Sequence, residues 1–239
     1  MKESKKFIKA EAKILPVILI LDRSGSMYGE KIDSLNRSVA MMLKDFGNTS
    51  GIKAEIKVAI ISFGGKGENA KATLDYPLTS ASKIDFKFLE ADGESPLGDA
   101  LKMAKNLVED REIIGKGTYR PVVILVSDGI CSGENAQWKD EFNRFANEGR
   151  SAMCERWALA IGKGSDRYML EDFIGDSRLL FEAYNVGMIR NFFNLATAAT
   201  VKRLESTTPN KTVYPEIEEL DEDIFDEDIF DDISDEDLL

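Results

Sequence analysis

The chain has 239 residues, 43% hydrophobic and 31% charged, enough to bury one sizeable core, and the absence of histidine excludes Ser-His-Asp and Cys-His catalysis and histidine-bound zinc. Its net charge of −12 sits at one end, because residues 216–239 hold fourteen Asp and Glu and no Lys or Arg, which leaves residues 1–215 near +2. No general affinity for nucleic acid is expected of so nearly neutral a body.

Lys2, Lys5, Lys6, Lys9 and Lys13 precede an apolar run at 14–21, as in a signal peptide. The run has only eight residues, contains Pro16 and leads straight into Asp22-Arg23-Ser24, so it reads as a buried strand, with 16–21 at its heart. No run approaches the eighteen apolar residues of a membrane span, and no membrane partner is expected. Cys131 and Cys154 lie in or beside apolar runs, which argues against a disulfide framework and for a reducing, cytoplasmic setting.

Downstream, Ile32, Leu35, Val39, Met42, Leu43 and Phe46 recur at three- and four-residue spacing and predict a helix with one apolar face. Residues 54–63 read as the second strand. After a turn at Gly64-Gly65-Lys66-Gly67, the polar stretch 71–77 reads as an antiparallel edge strand, with Pro77 near its end. Leu97, Leu101, Ala104, Leu107 and Val108 mark a second helix, followed by a central strand at 122–126. Then come a helix at 138–149, a strand at 153–161, a short helix at 168–174 and a short strand at 179–181. Met188, Phe192, Leu195, Ala199 and Leu204 give a closing helix. The alternation predicts an α/β domain at 14–204, a doubly wound, mostly parallel six-stranded sheet in the order 3-2-1-4-5-6 with helices on both faces. Residues 1–13 form an N-terminal segment, 205–215 a linker and 216–239 an acidic tail that is disordered when free.

In such a sheet ligands bind beyond the carboxyl ends of the strands where the order reverses, here strands one and four. Asp22-Arg23-Ser24-Gly25-Ser26 follows the first and Ser127-Asp128-Gly129 the fourth, while Gly93-Glu94-Ser95-Pro96-Leu97-Gly98 enters the second helix nearby. Taken singly, Ser-Gly-Ser is an ordinary turn and an Asp ending a strand an ordinary helix cap. Together they converge two carboxylates and several hydroxyls on one spot. That oxygen-only set suits Mg²⁺, or Mn²⁺ or Ca²⁺, with a coordination position left over for an acid.

The pattern Asp22-x-Ser24-x-Ser26, then Ser95, then Asp128 resembles the metal-ion-dependent adhesion site of von Willebrand factor A-type domains, over roughly residues 14–204. The resemblance implies that Asp22, Ser24, Ser26, Ser95 and Asp128 hold the metal, and that the chain is a non-catalytic interaction module gripping an Asp or Glu of a protein partner. Gly29-Glu30, residues 95–101 and Tyr119-Arg120-Pro121-Val122 are similar to the bacterial tellurium-resistance (TerY-like) group, where Ser95 is usually Thr. That narrower likeness implies a stress or defence signalling system with a Ser/Thr kinase and a metal-dependent phosphatase.

The alternative is a metal-dependent hydrolase acting on phosphate. Against it, no general base stands beside a nucleophile in these loops, and Arg23 is their only basic residue. Gly-Lys-Gly turns at 115–117 and 162–164 lack phosphate-loop spacing. In the tail, Ile224, Phe225, Ile229 and Phe230 alternate with acids. A purely solubilising segment has no use for them, so docking to a partner, or occupation of the metal site by a tail carboxylate, is expected.

Overall fold

The computed structural model describes residues 13–49, 54–128, 136–162 and 167–215. The tail residues Ile224, Phe225, Ile229 and Phe230, as well as Gly129 and Cys131, lie outside them.

The six strands are β1 (Lys13–Asp22), β2 (Ala54–Gly64), β3 (Lys71–Ser80), β4 (Val122–Ser127), β5 (Glu155–Ile161) and β6 (Leu180–Ala183). They form one sheet in the order β3-β2-β1-β4-β5-β6, parallel except for the antiparallel β2-β3 pair. The helices are α1 (Glu30–Gly47), α2 (Leu97–Glu109), α3 (Ala136–Asn147), α4 (Arg167–Ile174) and α5 (Val186–Glu205). This is the expected doubly wound architecture.

Alternation along the strands explains the two helical layers, since successive side chains of a strand point to opposite faces. Leu15, Val17, Leu19 and Leu21 of β1 join Val122, Ile124 and Val126 of β4 in a core with the apolar faces of α1 and α5. Ile18 and Ile20 join Val123 and Leu125 in a second core with α2, α3 and α4. Both central strands are therefore buried on both sides, which is why they read as unbroken apolar runs. Trp157 of β5 stacks on Phe181 at 5.8 Å and meets Phe192 edge-on, as expected for a core side chain. Cys154 is buried too, and burial pushes its thiol up to about 12, so it is not a reactive group.

Element ends differ from the periodic reading where pairing or turns decide. Among the described residues β1 reaches back to Lys13, where Lys13 and Ile14 pair with Ala54 and Glu55. β3 runs past Pro77 to Ser80, since on an edge strand a missing N–H costs no ladder bond. β5 starts at Glu155 because Ser151–Met153 forms a 3₁₀ turn.

Residues 206–215 do not leave the domain but cross beneath the amino ends of β4, β5 and β6. The Arg120 N–H donates to Asn210 Oδ1 at 2.9 Å, the Arg203 guanidinium donates to the Pro209 carbonyl, and the Tyr214 hydroxyl donates to Asp176 Oδ2 at 2.8 Å. The Arg178 guanidinium lies over the Tyr214 ring at 3.7 Å. At the centre, fully buried Arg203 places Nη1 3.3 Å from Glu155 Oε2, and Trp157 Nε1 donates to Glu155 Oε1 at 3.0 Å. Removing Arg203 leaves Glu155 with Arg120 and Trp157 alone and takes the donor from the Pro209 and Arg120 carbonyls, and losing part of a buried charged network is costly. Arg203→Met is therefore expected to cost about 2–4 kcal/mol in denaturant unfolding. A change within about 0.5 kcal/mol, the range of an ordinary surface substitution, would show that Glu155 does not depend on Arg203.

Candidate metal centre

Asp22 is the last residue of β1 and Ser127 the last of β4, the strands between which the order reverses; Asp128 follows at once. Parallel pairing in register, with Leu21 opposite Val126, sets these residues side by side. After Asp22 the chain turns through the 3₁₀ segment Gly25–Met27 into α1, so Ser24 and Ser26 fold back over the strand end. The Ser24 N–H donates to Asp22 Oδ1 at 2.8 Å, and the Ser24 and Ser26 hydroxyls are 3.0 Å apart.

Backbone hydrogen bonds lace in the third loop. Gly25 N–H donates to Gly93 O at 2.9 Å, and Asp92 N–H to Arg23 O at 2.9 Å. Gly65 N–H donates to Asp92 O and Glu94 N–H to Gly65 O, both at 2.7 Å. Gly93 and Gly65 have φ of +67° and +104°, and an ideal Cβ on Gly93 would overlap the Gly65 carbonyl. Only residues without a Cβ let these backbones meet so closely. The lacing delivers the Ser95 hydroxyl to Asp22 Oδ2 at 3.3 Å.

All five residues named from sequence thus reach one place or its immediate rim. Asp22, Ser24, Ser95 and Asp128 are buried, at 0–2% exposure, and Ser26 is exposed at the mouth. Two residues not named as ligands join them. Ser127 donates its hydroxyl to Asp22 Oδ2 at 2.8 Å. Lys31, on the first turn of α1, donates to the Ser26 carbonyl at 3.0 Å and stands 3.6 Å from Asp128 Oδ2. A signal for Lys31 was present: a cation in the first turn of a helix opposes the helix dipole, so a nearby acid is needed to account for it.

The two carboxylates differ. Asp22 accepts one N–H and two hydroxyl bonds, yet burial outweighs them and, with Asp128 near, raises its pKa to about 6. Neither oxygen of Asp128 accepts a hydrogen bond from the described residues, although both are buried. A buried carboxylate without donors is costly unless a cation meets it. Lys31 meets it at ion-pair but not hydrogen-bond distance. The oxygen-only donors fit a hard divalent ion. Among the described residues no three His, Cys, Asp or Glu side chains gather in one place.

Residues 17–130 match the family model of the von Willebrand factor type A domain. No curated protein matches the chain. Among solved structures, the pilus adhesin SpaC from Lactobacillus rhamnosus GG, in its open conformation, aligns with TM-score 0.65 at 13% identity over 80% of this chain and 30% of its own. Proximal thread matrix protein 1 from the mussel byssus, in a form with a zinc-occupied MIDAS motif, gives 0.58 at 20% identity over 78% and 46%. A von Willebrand factor type A protein from Catenulispora acidiphila gives 0.57 at 17% identity over 78% and 42%. The chain spans less than half the length of these structures, and at such identities they speak to the fold alone. The matched segment runs from within β1 to just past Asp128, so the strand ends that carry Asp22 and Asp128 lie in the stretch that is similar to the von Willebrand factor type A domain.

Proposed function

We propose that this domain is a non-catalytic, metal-dependent protein-interaction module. Asp22, Ser24, Ser26, Ser95 and Asp128 hold a divalent ion, Mg²⁺ or else Mn²⁺ or Ca²⁺, against which a protein partner presents an Asp or Glu. The observation that carries this reading is Asp128, whose two buried oxygens have no hydrogen-bond donor among the described residues, at a strand end beside Asp22 and the serine hydroxyls around it. A bound ion there supplies an open coordination position for the partner's acid. The chain's own residues do the rest: Ser127 and the Ser24 N–H hold Asp22 in place, and the Gly65–Gly93 lacing fixes Ser95.

The setting in this proposal is cytoplasmic bacterial stress or defence signalling of the tellurium-resistance type, with a Ser/Thr kinase and a metal-dependent phosphatase as partners. The likeness of Gly29-Glu30, residues 95–101 and residues 119–122 to that group supports it. No helix among the described residues is long and apolar enough to cross a membrane. Tail anchors Ile224, Phe225, Ile229 and Phe230 belong to the proposal as a second docking element.

Affinity capture from native cells tests the reading. Partners held in Mg²⁺ are expected to be released by EDTA and absent from the Asp128→Ala protein. Retention of the same partners in EDTA would move the interface off these loops, and metal-dependent turnover of a phosphate ester would favour the hydrolase instead.

A further inference from the structure

We infer that Lys31 makes the metal centre selective for a metal and an acid together, by keeping its charge unbalanced until both are bound. The inference rests on the metal-dependent reading above. Its starting point is placement: Lys31 Nζ contacts the Ser26 carbonyl at 3.0 Å and lies 3.6 Å from Asp128 Oδ2, so it is held by two of the residues assigned to the ion. It also lies close to Gly162, at the carboxyl end of β5. Arg23 instead gives its Nε to Ser62, and Lys66 pairs with Asp92.

The charges then count simply. Asp22 and Asp128 supply −2, and a divalent ion alone would neutralise them. Lys31 adds +1, leaving an excess positive charge in a largely buried cluster, where opposing like charges interact strongly. The ammonium therefore works against the ion when the ion binds by itself. One carboxylate from outside returns the sum to zero, so it gains from both cations at once. Thermodynamic coupling follows, because each of ion and acid raises the affinity for the other by the same factor. Lys31 is about one-third exposed, which leaves its ammonium within reach of a ligand at the mouth.

The position on α1 supports a role beyond fold stability. A cation on the first turn is disfavoured by the helix dipole, whereas Glu30 and Asp33 of the same turn are favoured. A neutral residue would suit the helix better.

The test uses the full chain, Mn²⁺ as the metal and acetate as the acid. Manganese affinity is measured by calorimetry in sodium chloride and in sodium acetate at equal ionic strength, for wild type, Lys31→Met and Lys31→Arg, with thermal melting to confirm folding. Wild type is expected to bind Mn²⁺ more tightly in acetate. Lys31→Met is expected to bind roughly tenfold more tightly than wild type in chloride, the change that about 1.4 kcal/mol produces, and to lose most of the acetate effect. Lys31→Arg restores both behaviours. A folded Lys31→Met protein whose Mn²⁺ affinity in chloride equals or falls below that of wild type overturns the inference while leaving the metal site standing. Failure of wild type itself to bind Mn²⁺ overturns the metal-dependent reading and this inference with it.

Discussion

Asp22→Asn is expected to lose at least a hundredfold in Mg²⁺ or Mn²⁺ affinity while its metal-free form stays as stable as wild type at neutral pH, or becomes more so. Asparagine keeps its Oδ1 as acceptor for the Ser24 N–H and puts an amide NH₂ where Oδ2 stood, which the Ser95 and Ser127 hydroxyls can accept from after rotating, so local bonding survives with its direction reversed there. What it removes is a buried charge. Asp22 has its pKa raised from 3.8 to about 6, chiefly by burial. The folded protein therefore binds a proton there that the unfolded chain does not, and wild type gains stability as pH falls from about 6 toward 3.8. Above pH 6 the ionised group costs the metal-free fold about 2–3 kcal/mol, the equivalent of some two pKa units. A divalent ion offsets that cost, so added Mn²⁺ should raise the melting temperature of wild type more at pH 7.5 than at pH 5. Asp22→Asn should show neither the shift nor its pH dependence. Equal Mn²⁺ shifts at both pH values in wild type would mean that Asp22 is not the group meeting the ion.

Gly93→Ala is expected to damage both fold and site. At φ +67° an alanine pays about 1–2 kcal/mol for left-handed backbone, and its methyl would overlap the Gly65 carbonyl. Relief requires parting the Asp92–Glu94 strip from Gly65, breaking the two 2.7 Å bonds between them. A loss of about 3 kcal/mol or more in denaturant unfolding is the expected outcome, since a lost buried hydrogen bond costs about 1 kcal/mol beyond the strain. Because the strip also carries Gly93 O to Gly25 N–H, the Ser24 turn and Ser95 should separate, and metal affinity should fall. Wild-type stability in Gly93→Ala would show that the loop has slack the close approach denies.

The sheet was readable in advance for a physical reason. Strands β1 and β4 are buried on both faces, so their apolar runs stand out, and the β-α alternation leaves few topologies. The residues proposed to hold the ion were legible as a group because each sits at a strand end or helix entry that the topology brings together. What sequence did not reveal depends on contacts remote along the chain. Ser127 reaches Asp22 across 105 positions, and Arg120 meets Asn210 across 90. The Gly65–Gly93 approach looked like two separate turns. Residues 205–215 read as a linker because Thr, Pro and Asn dominate them, yet Asn210 and Pro209 accept from the Arg120 N–H and the buried Arg203 guanidinium, while Tyr214 donates to Asp176 and packs its ring on exposed Arg178. Lys31 was not singled out, since helical periodicity does not show that the first turn of α1 lies beside Asp128.

A crystal structure of the full chain grown with Mn²⁺, read by anomalous scattering, tests the central claim most directly. One strong anomalous peak is expected at the carboxyl ends of β1 and β4, touching the hydroxyls of Ser24 and Ser26 and reaching Asp22, Ser95 and Asp128 directly or through water. No peak there, or one elsewhere with Asp128 left as it is, would contradict it.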